Sequence, residues 1–164
     1  MELDQADLTL IQELQRDAAQ RLEDLARKVQ MAPSSVHERL RRLESSAILK
    51  RWTIEIDAAR LGLGVLAYVG IRATRPCSEI LPVIELIPAV EEAHSVAGEL
   101  SLMLKIRVTT TAALLELIDR LRQIPGVEGT ETTIVLKTQF DRPTSLPPGD
   151  APRRSSRGAA QRSS

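Results

Sequence analysis

Three arginines fall within four residues, Arg39, Arg41 and Arg42, on a segment that opens Pro33-Ser34-Ser35 and closes at about Ser45. Guanidinium groups at this density suit a polyanion: each is a planar fork that can form two parallel hydrogen bonds to a phosphate or to a guanine edge. Serine hydroxyls and free N–H groups at a helix start suit phosphate as well. The opposing interpretation is a solvated charged face with no partner. Few other residues in the chain have types and spacing suited to chemistry. His37 and His94 are the only histidines and lie in different sequence regions; Cys77 is the only cysteine. No glycine-rich phosphate loop, Cys/His metal spacing or serine-nucleophile motif occurs, so the sequence predicts no enzyme, no cofactor and no metal. Cys77 cannot close an internal disulfide, which suits a reducing cytoplasm, the location the sequence predicts. Neither a secretory leader nor a span of about 18 apolar residues is expected. With one Phe, one Trp and one Tyr in 164 residues, the core must be aliphatic. Single-strand binding on aromatic platforms is disfavoured for the same reason.

The formal charge is zero, but it is unevenly spread. Residues 1–26 carry a balance of −5; residues 33–51, holding Arg39, Arg41, Arg42, Lys50 and Arg51 against Glu38 and Glu44, carry +3. A local basic stripe governs attraction to a polyanion more than the global sum does.

The elements that must carry these residues follow from periodicity. Asp4 reads as an N-cap, with Asp7 three residues on, and Leu8, Ile11 and Leu14 form an apolar stripe behind it. "LEDLARKV" makes a short second helix with Leu22, Leu25, Ala26 and Val29 inward. After a break at Gln30–Ala32, Pro33 takes the first position of a third helix whose buried seam is Val36, Leu40 and Leu43. Opposite that seam lie Ser34, Glu38, Arg41 and Ser45, flanked by Ser35, His37 and Arg42. Arg39 falls at the seam's edge, which suits an intramolecular ion pair. Short helix, turn and basic helix in that order form a helix-turn-helix pattern, assigned to residues 1–50. In "AILKRWTIEID", Trp52, Ile54 and Ile56 alternate with Thr53, Glu55 and Asp57, predicting a strand, and "RLGLG" predicts a hinge; together they make a linker over residues 51–64.

Residues 65–141 contain an internal echo. "IPAVE" and "IPGVE" each end a helix and open a strand, 37 residues apart. Alternating Val65, Ala67, Val69 and Ile71 precede the first helix, and Leu102, Leu104, Ile106 and Val108 the second. Two βαβ halves predict a ferredoxin-like βαββαβ sandwich, giving an α+β chain overall. Pro82 would fit if its helix starts near Glu79–Leu81. Residues 142–164, rich in Pro, Ser, Arg and Gly, predict a disordered basic tail. Its Arg153, Arg154, Arg157 and Arg162 offer at most nonspecific phosphate attraction.

Taken together, "LDQADLTLIQELQRDA", "DLARKVQMAPSSVHERLRRLESSAIL", "RLGLG", "SVAGELSLMLKIRV" and "IPGVEGTETTIVL" resemble the Lrp/AsnC family of feast/famine transcription regulators, over roughly residues 3–140. The resemblance implies a winged or simple helix-turn-helix and a C-terminal amino-acid-sensing domain. It also implies dimers assembling further, commonly to octamers. Double-stranded DNA is the implied macromolecular partner, with Ser34, Ser35, His37, Glu38, Arg41 and Arg42 at the contact; no membrane is involved. A pocket between dimers is implied for the effector, built by Gly98, Glu99, Leu100 and Ser101 with Thr130 and Thr132 of a neighbouring subunit. The chain departs from the family pattern at Ala18-Ala19, at Gln30 and Ala47 where glycine is usual, at Ala32 where a serine cap is usual, and at Ser101 where the Gly-x-x-Asp motif has its acid. Ser35 and Glu38 would form a substitute capping box if the third helix began a turn later. Two alternatives remain on sequence grounds. One is a haem-precursor decarboxylase of the same fold, which a Soret band would reveal; the other is a sensing or interaction module that no longer binds DNA.

Overall fold

The computed structural model describes residues 2–147. They divide into two compact units: residues 2–54 together with residues 142–147, and residues 55–141.

The first unit is three helices, α1 (Gln5–Arg16), α2 (Leu22–Val29) and α3 (Pro33–Ser45). Asp4 caps α1 as the sequence predicts: its side chain accepts from the Asp7 N–H at 2.9 Å, and Asp7 returns the bond to the Asp4 N–H at 3.2 Å. Leu10, Leu14, Leu25, Ala26 and Val36 form its small aliphatic core.

Two left-handed residues shape the turns. Gln30 (φ 55°) ends α2, and Ala47 (φ 55°) follows α3. Both stand at positions where the family pattern has glycine. A side chain in this region costs on the order of 1 kcal/mol because Cβ crowds the following carbonyl. Gln30→Gly and Ala47→Gly are each expected to raise the stability of this unit by up to about 1 kcal/mol, measured as slower amide exchange in α2 and α3. Helix α3 starts at Pro33 with Ala32 as a cap that offers no side-chain hydrogen bond. The substitute capping box from Ser35 and Glu38 therefore does not form, because both residues already lie inside the helix.

The predicted strand at residues 52–56 does not form either. Trp52, Ile54 and Ile56 are exposed, Ile54 to 82%, and residues 51–57 adopt no regular structure. Alternation alone cannot make a strand: the backbone needs a neighbour to receive its hydrogen bonds. Trp52 is tied instead through its indole Nε1, which donates to Glu44 Oε1 at 2.7 Å. The predicted hinge is partly ordered too. Asp57 accepts from the N–H groups of Ala59 and Arg60 and opens a 3-10 helix, Ala58–Leu61, closed by Gly62 at φ 81°.

The second unit is β1 (Val65–Ala73), α4 (Cys77–Glu85), β2 (Val90–Ser95), β3 (Leu102–Val108), α5 (Thr111–Arg122) and β4 (Val127–Ile134). Its antiparallel sheet runs β2-β3-β1-β4. That is the βαββαβ order the echo predicts. Ala67, Val69, Ile71, Leu102, Leu104 and Ile106 point from the sheet into one core with Ile80 and Ile84 of α4 and Leu114, Leu117 and Leu121 of α5. Helix α4 begins at Cys77, earlier than Pro82 suggested, so Pro82 sits inside it. The cost is one helical bond, the one its missing N–H would have given.

Past β4 the chain returns to the first unit. Predicted disorder from Arg142 gives way, over residues 142–147, to a segment along α1 where Gln15 Nε2 donates to the Thr144 carbonyl at 3.0 Å. Leu146 and Pro147 line the same groove as Leu8 and Gln12. Arg153, Arg154, Arg157 and Arg162 lie outside the described residues. Among the described residues, no helix is long and apolar enough to cross a membrane.

Candidate nucleic-acid interface and effector loop

Helix α3 buries Val36 and Leu43 and turns Ser34, His37, Glu38, Arg41 and Ser45 outward, with Ser35 half-buried. The absence of a capping side chain at Ala32 leaves the first-turn N–H groups open, at the positive end of the helix dipole and with no acid in that turn. An anion placed there meets backbone donors and two serine hydroxyls together. Arg41 stands one to two turns farther along the same face.

Arg42, exposed on the flank of that face as the sequence predicts, is also engaged within the chain. Its Nη2 donates to both oxygens of Asp7, at 2.8 and 2.7 Å, while Arg39 Nη1 donates to Asp7 at 2.8 Å and to Asp4 at 2.6 Å. Arg39 is thus the intramolecular partner its position at the seam's edge suggests, and Arg42 joins it. The Asp7 N–H bond and the Arg39 guanidinium hold the Asp4 carboxyl below its ordinary pKa, and the two carboxylates raise that of Arg39. Asp7 itself is fully buried. Its place three residues after Asp4 points only to a capping role. The missed signal is its spacing: Asp7, Leu10, Ile11 and Leu14 follow the i, i+3, i+4, i+7 rule of a single buried stripe.

In the second unit, the loop between β2 and β3 is held at its end. The Ser101 N–H donates to the Ile71 carbonyl at 2.8 Å, and Ser101 Oγ accepts from the Ala73 N–H at 3.2 Å. The Cys77 thiol lies 3.7 Å from the Ser101 carbonyl. Ser101 therefore serves the backbone where the β1–β4 register shifts, between Arg72 and Ala73. Leu100 lies across Gly70 of β1, where any Cβ would come within 2.5 Å of its Cδ1. Gly98, at φ 134°, takes a backbone conformation that disfavours other residues, and Gly98 and Glu99 are exposed. On the other side of β1, Thr130 pairs with Ile71, the residue that also receives Ser101. Thr130 Oγ1 accepts from Arg122 Nε at 2.9 Å, and Thr132 is exposed two pairs farther along. Within one chain, then, the loop end and Thr130 flank the same residue of β1.

The outward sheet face carries Leu66, Tyr68 and Met103 beside a charged rim. Lys105 Nζ donates to Glu92 at 2.7 Å, Arg107 Nε to Glu91 at 2.6 Å, and His94 contacts Glu92 at 3.0 Å. The Lys105 and His94 contacts lower the Glu92 pKa, and Glu92 raises that of Lys105.

Comparison with known proteins gives matches in both units. Residues 3–44 match the AsnC-type helix-turn-helix domain, and residues 66–145 the Lrp/AsnC ligand binding domain. The chain is 34% identical over 146 residues to the HTH-type transcriptional regulator FL11 of Pyrococcus horikoshii, covering 88% of this chain and 96% of that protein. It is 36% identical over 121 residues to the regulator LrpC of Bacillus subtilis, covering 73% and 84%. Among solved structures, the feast or famine regulatory protein from M. tuberculosis complexed with L-methionine superposes with a TM-score of 0.83 at 33% identity, covering 88% of this chain and 99% of that one.

Proposed function

Because this chain belongs to the Lrp/AsnC family of transcriptional regulators, we propose that α3 reads duplex DNA and that the loop before β3 takes an amino acid. The observation that carries the DNA assignment is the outward face of α3. An uncapped helix start with Ser34 and Ser35 meets phosphate, while His37, Glu38 and Arg41 stand on the face directed away from Val36 and Leu43. Phosphate contacts fix the register, and Arg41, Glu38 or His37 supplies the contact to a base edge. In a two-fold dimer, two such helices meet successive major grooves about 34–36 Å apart.

The second unit is the ligand-binding domain, and its effector is an amino acid bound between dimers at Gly98, Glu99, Leu100 and Ser101 with Thr130 and Thr132 of a neighbouring subunit. The relative complexed with L-methionine supports this reading. Gly98 admits backbone N–H groups close to a carboxylate, and exposed Glu99 supplies the charge for an ammonium. Ser101 is engaged by the backbone of β1, so Glu99 carries the acid's role alone. A calorimetric screen of the twenty amino acids is expected to give a hit that Glu99→Ala abolishes. Absence of heat with all of them, and of any change in assembly, would contradict the effector assignment.

Self-association completes the reading. Tyr68, Trp52, Ile54 and Ile56 are large and exposed, and residues 52–56 have the alternation of a strand with no partner strand among the described residues. A homodimer that buries the outward sheet face and pairs these segments, and then assembles further toward an octamer, satisfies both features. The bulk of the DNA affinity is assigned to the dimeric pair of α3 helices rather than to residues 148–164.

A further inference from the structure

Asp7 is the only polar or charged residue fully buried among the described residues, and three of the bonds to its two oxygens come from arginines of α3. The arrangement is lopsided. Asp7 has no contact with solvent, while the Arg39 and Arg42 side chains stay 22% and 46% exposed. With Asp4, the group contains two carboxylates and two guanidiniums, so its charges cancel within the fold. Arg41 has no part in it. On the helical wheel of α3, Arg39 and Arg42 turn to the side facing α1, and Arg41 to the far side.

We propose that Asp7 is a positioning residue for DNA recognition. It clamps Arg39 and Arg42 against α1, so that Arg41 alone of the three arginines meets DNA with uncompensated charge, and the same clamp fixes the pose in which α3 is presented. The inference rests on the assignment of α3 to DNA and deepens it. An arginine-rich helix with three free guanidiniums would bind any duplex backbone strongly, because each phosphate neutralised releases counterions without regard to sequence. Cancelling two of the three charges internally lowers that indiscriminate term and leaves the base-edge contacts to decide the site. Helix orientation gains as well. Arg39 and Arg42 lie three residues apart and converge on one carboxylate, so any rotation of α3 about its axis breaks at least one of these bonds.

The salt dependence of duplex binding separates this arrangement from an ordinary structural ion pair. Affinity for an operator fragment and for an unrelated duplex of equal length would be measured by fluorescence anisotropy over a salt series. The wild type would be compared with Arg41→Ala, Arg42→Ala, Asp7→Asn and the Asp7→Asn/Arg42→Ala pair. Each phosphate contact contributes roughly 0.9 to the slope of log affinity against log salt. Arg41→Ala is expected to flatten the slope by about that amount, and Arg42→Ala to leave it unchanged. Asp7→Asn is expected to steepen the slope by about 0.9 for each arginine released and to raise affinity for the unrelated duplex. Adding Arg42→Ala to Asp7→Asn should remove that gain.

Equal flattening by Arg41→Ala and Arg42→Ala would overturn the proposal, since Arg42 would then reach phosphate from within the clamp. So would a folded Asp7→Asn variant with the wild-type slope and the wild-type preference between the two duplexes. If Asp7→Asn does not fold, the comparison of Arg41→Ala with Arg42→Ala still decides. A wild type that binds neither duplex would overturn the DNA assignment itself, a result unlike any of these.

Discussion

Replacing Arg39 and Arg42 together with alanine is expected to destabilise the first unit by about 3–5 kcal/mol, the range for stranding a buried charge. Asp7 would keep only the Asp4 N–H as a donor to its side chain. It lies fully inside the folded unit, so the loss of both guanidiniums leaves its charge with one protein donor in a site of low polarity. Removing the carboxylate instead is milder, because Arg39 and Arg42 are partly exposed and can hydrate when released. The asymmetry supplies its own control: adding Asp7→Asn to the double variant should recover much of the loss, since the stranded charge is gone. Amide exchange across α1, α2 and α3 measures both effects and does not require the whole chain to melt in one step. A double variant within about 1 kcal/mol of wild type, the worth of a surface pair, would contradict the account.

Leu10→Ala is the second large effect, expected at about 2–5 kcal/mol from lost burial and the cavity left behind. Leu10 is fully buried among Leu14, Leu25, Ala26 and Val36, and no aromatic side chain joins that core. A core of so few aliphatic residues has little reserve, so this loss approaches the stability available to a domain of its size. The sheet unit has its own, larger core. Exchange protection should therefore fall in α1, α2 and α3 while persisting in β1, β3 and α5, and duplex affinity should fall with the helices. Equal loss of protection in both units would show that they unfold together.

How far the sequence reveals this arrangement depends on whether a residue's partner is near in the chain. The Asp4 cap, the Pro33 start of α3 and the Val36–Leu43 seam are local signals, and each appears where the spacing puts it. Alternation gives β1 and β3, and the repeated "IP-V-E" endings give the βαββαβ order. Residues 52–56 show the limit of the same rule, because their alternation has no neighbouring strand among the described residues. Asp57 opens a 3-10 helix in a segment whose glycines suggest only a hinge. At the candidate sites, Arg41 is legible from the wheel, but the capture of Arg42 is not, since Asp7 lies 35 residues away. Ser101 is similar. Its departure from the family's acid is plain in sequence, yet its bond to Ala73 depends on strand register. Residues 142–147 read as disordered from composition because the surface they lie on, around Gln15 and Leu8, is remote in the chain.

The most direct test of the central claim is hydroxyl-radical footprinting of wild type and Arg41→Ala on genomic fragments, followed by anisotropy on the protected sequence. The account predicts protected patches one helical turn apart, about 10 base pairs, at a defined site for the wild type. For Arg41→Ala it predicts weaker binding there and a shallower salt slope. Uniform or absent protection by the wild type, or an Arg41→Ala variant that binds the site as tightly with the same salt slope, would contradict the assignment of α3 to DNA.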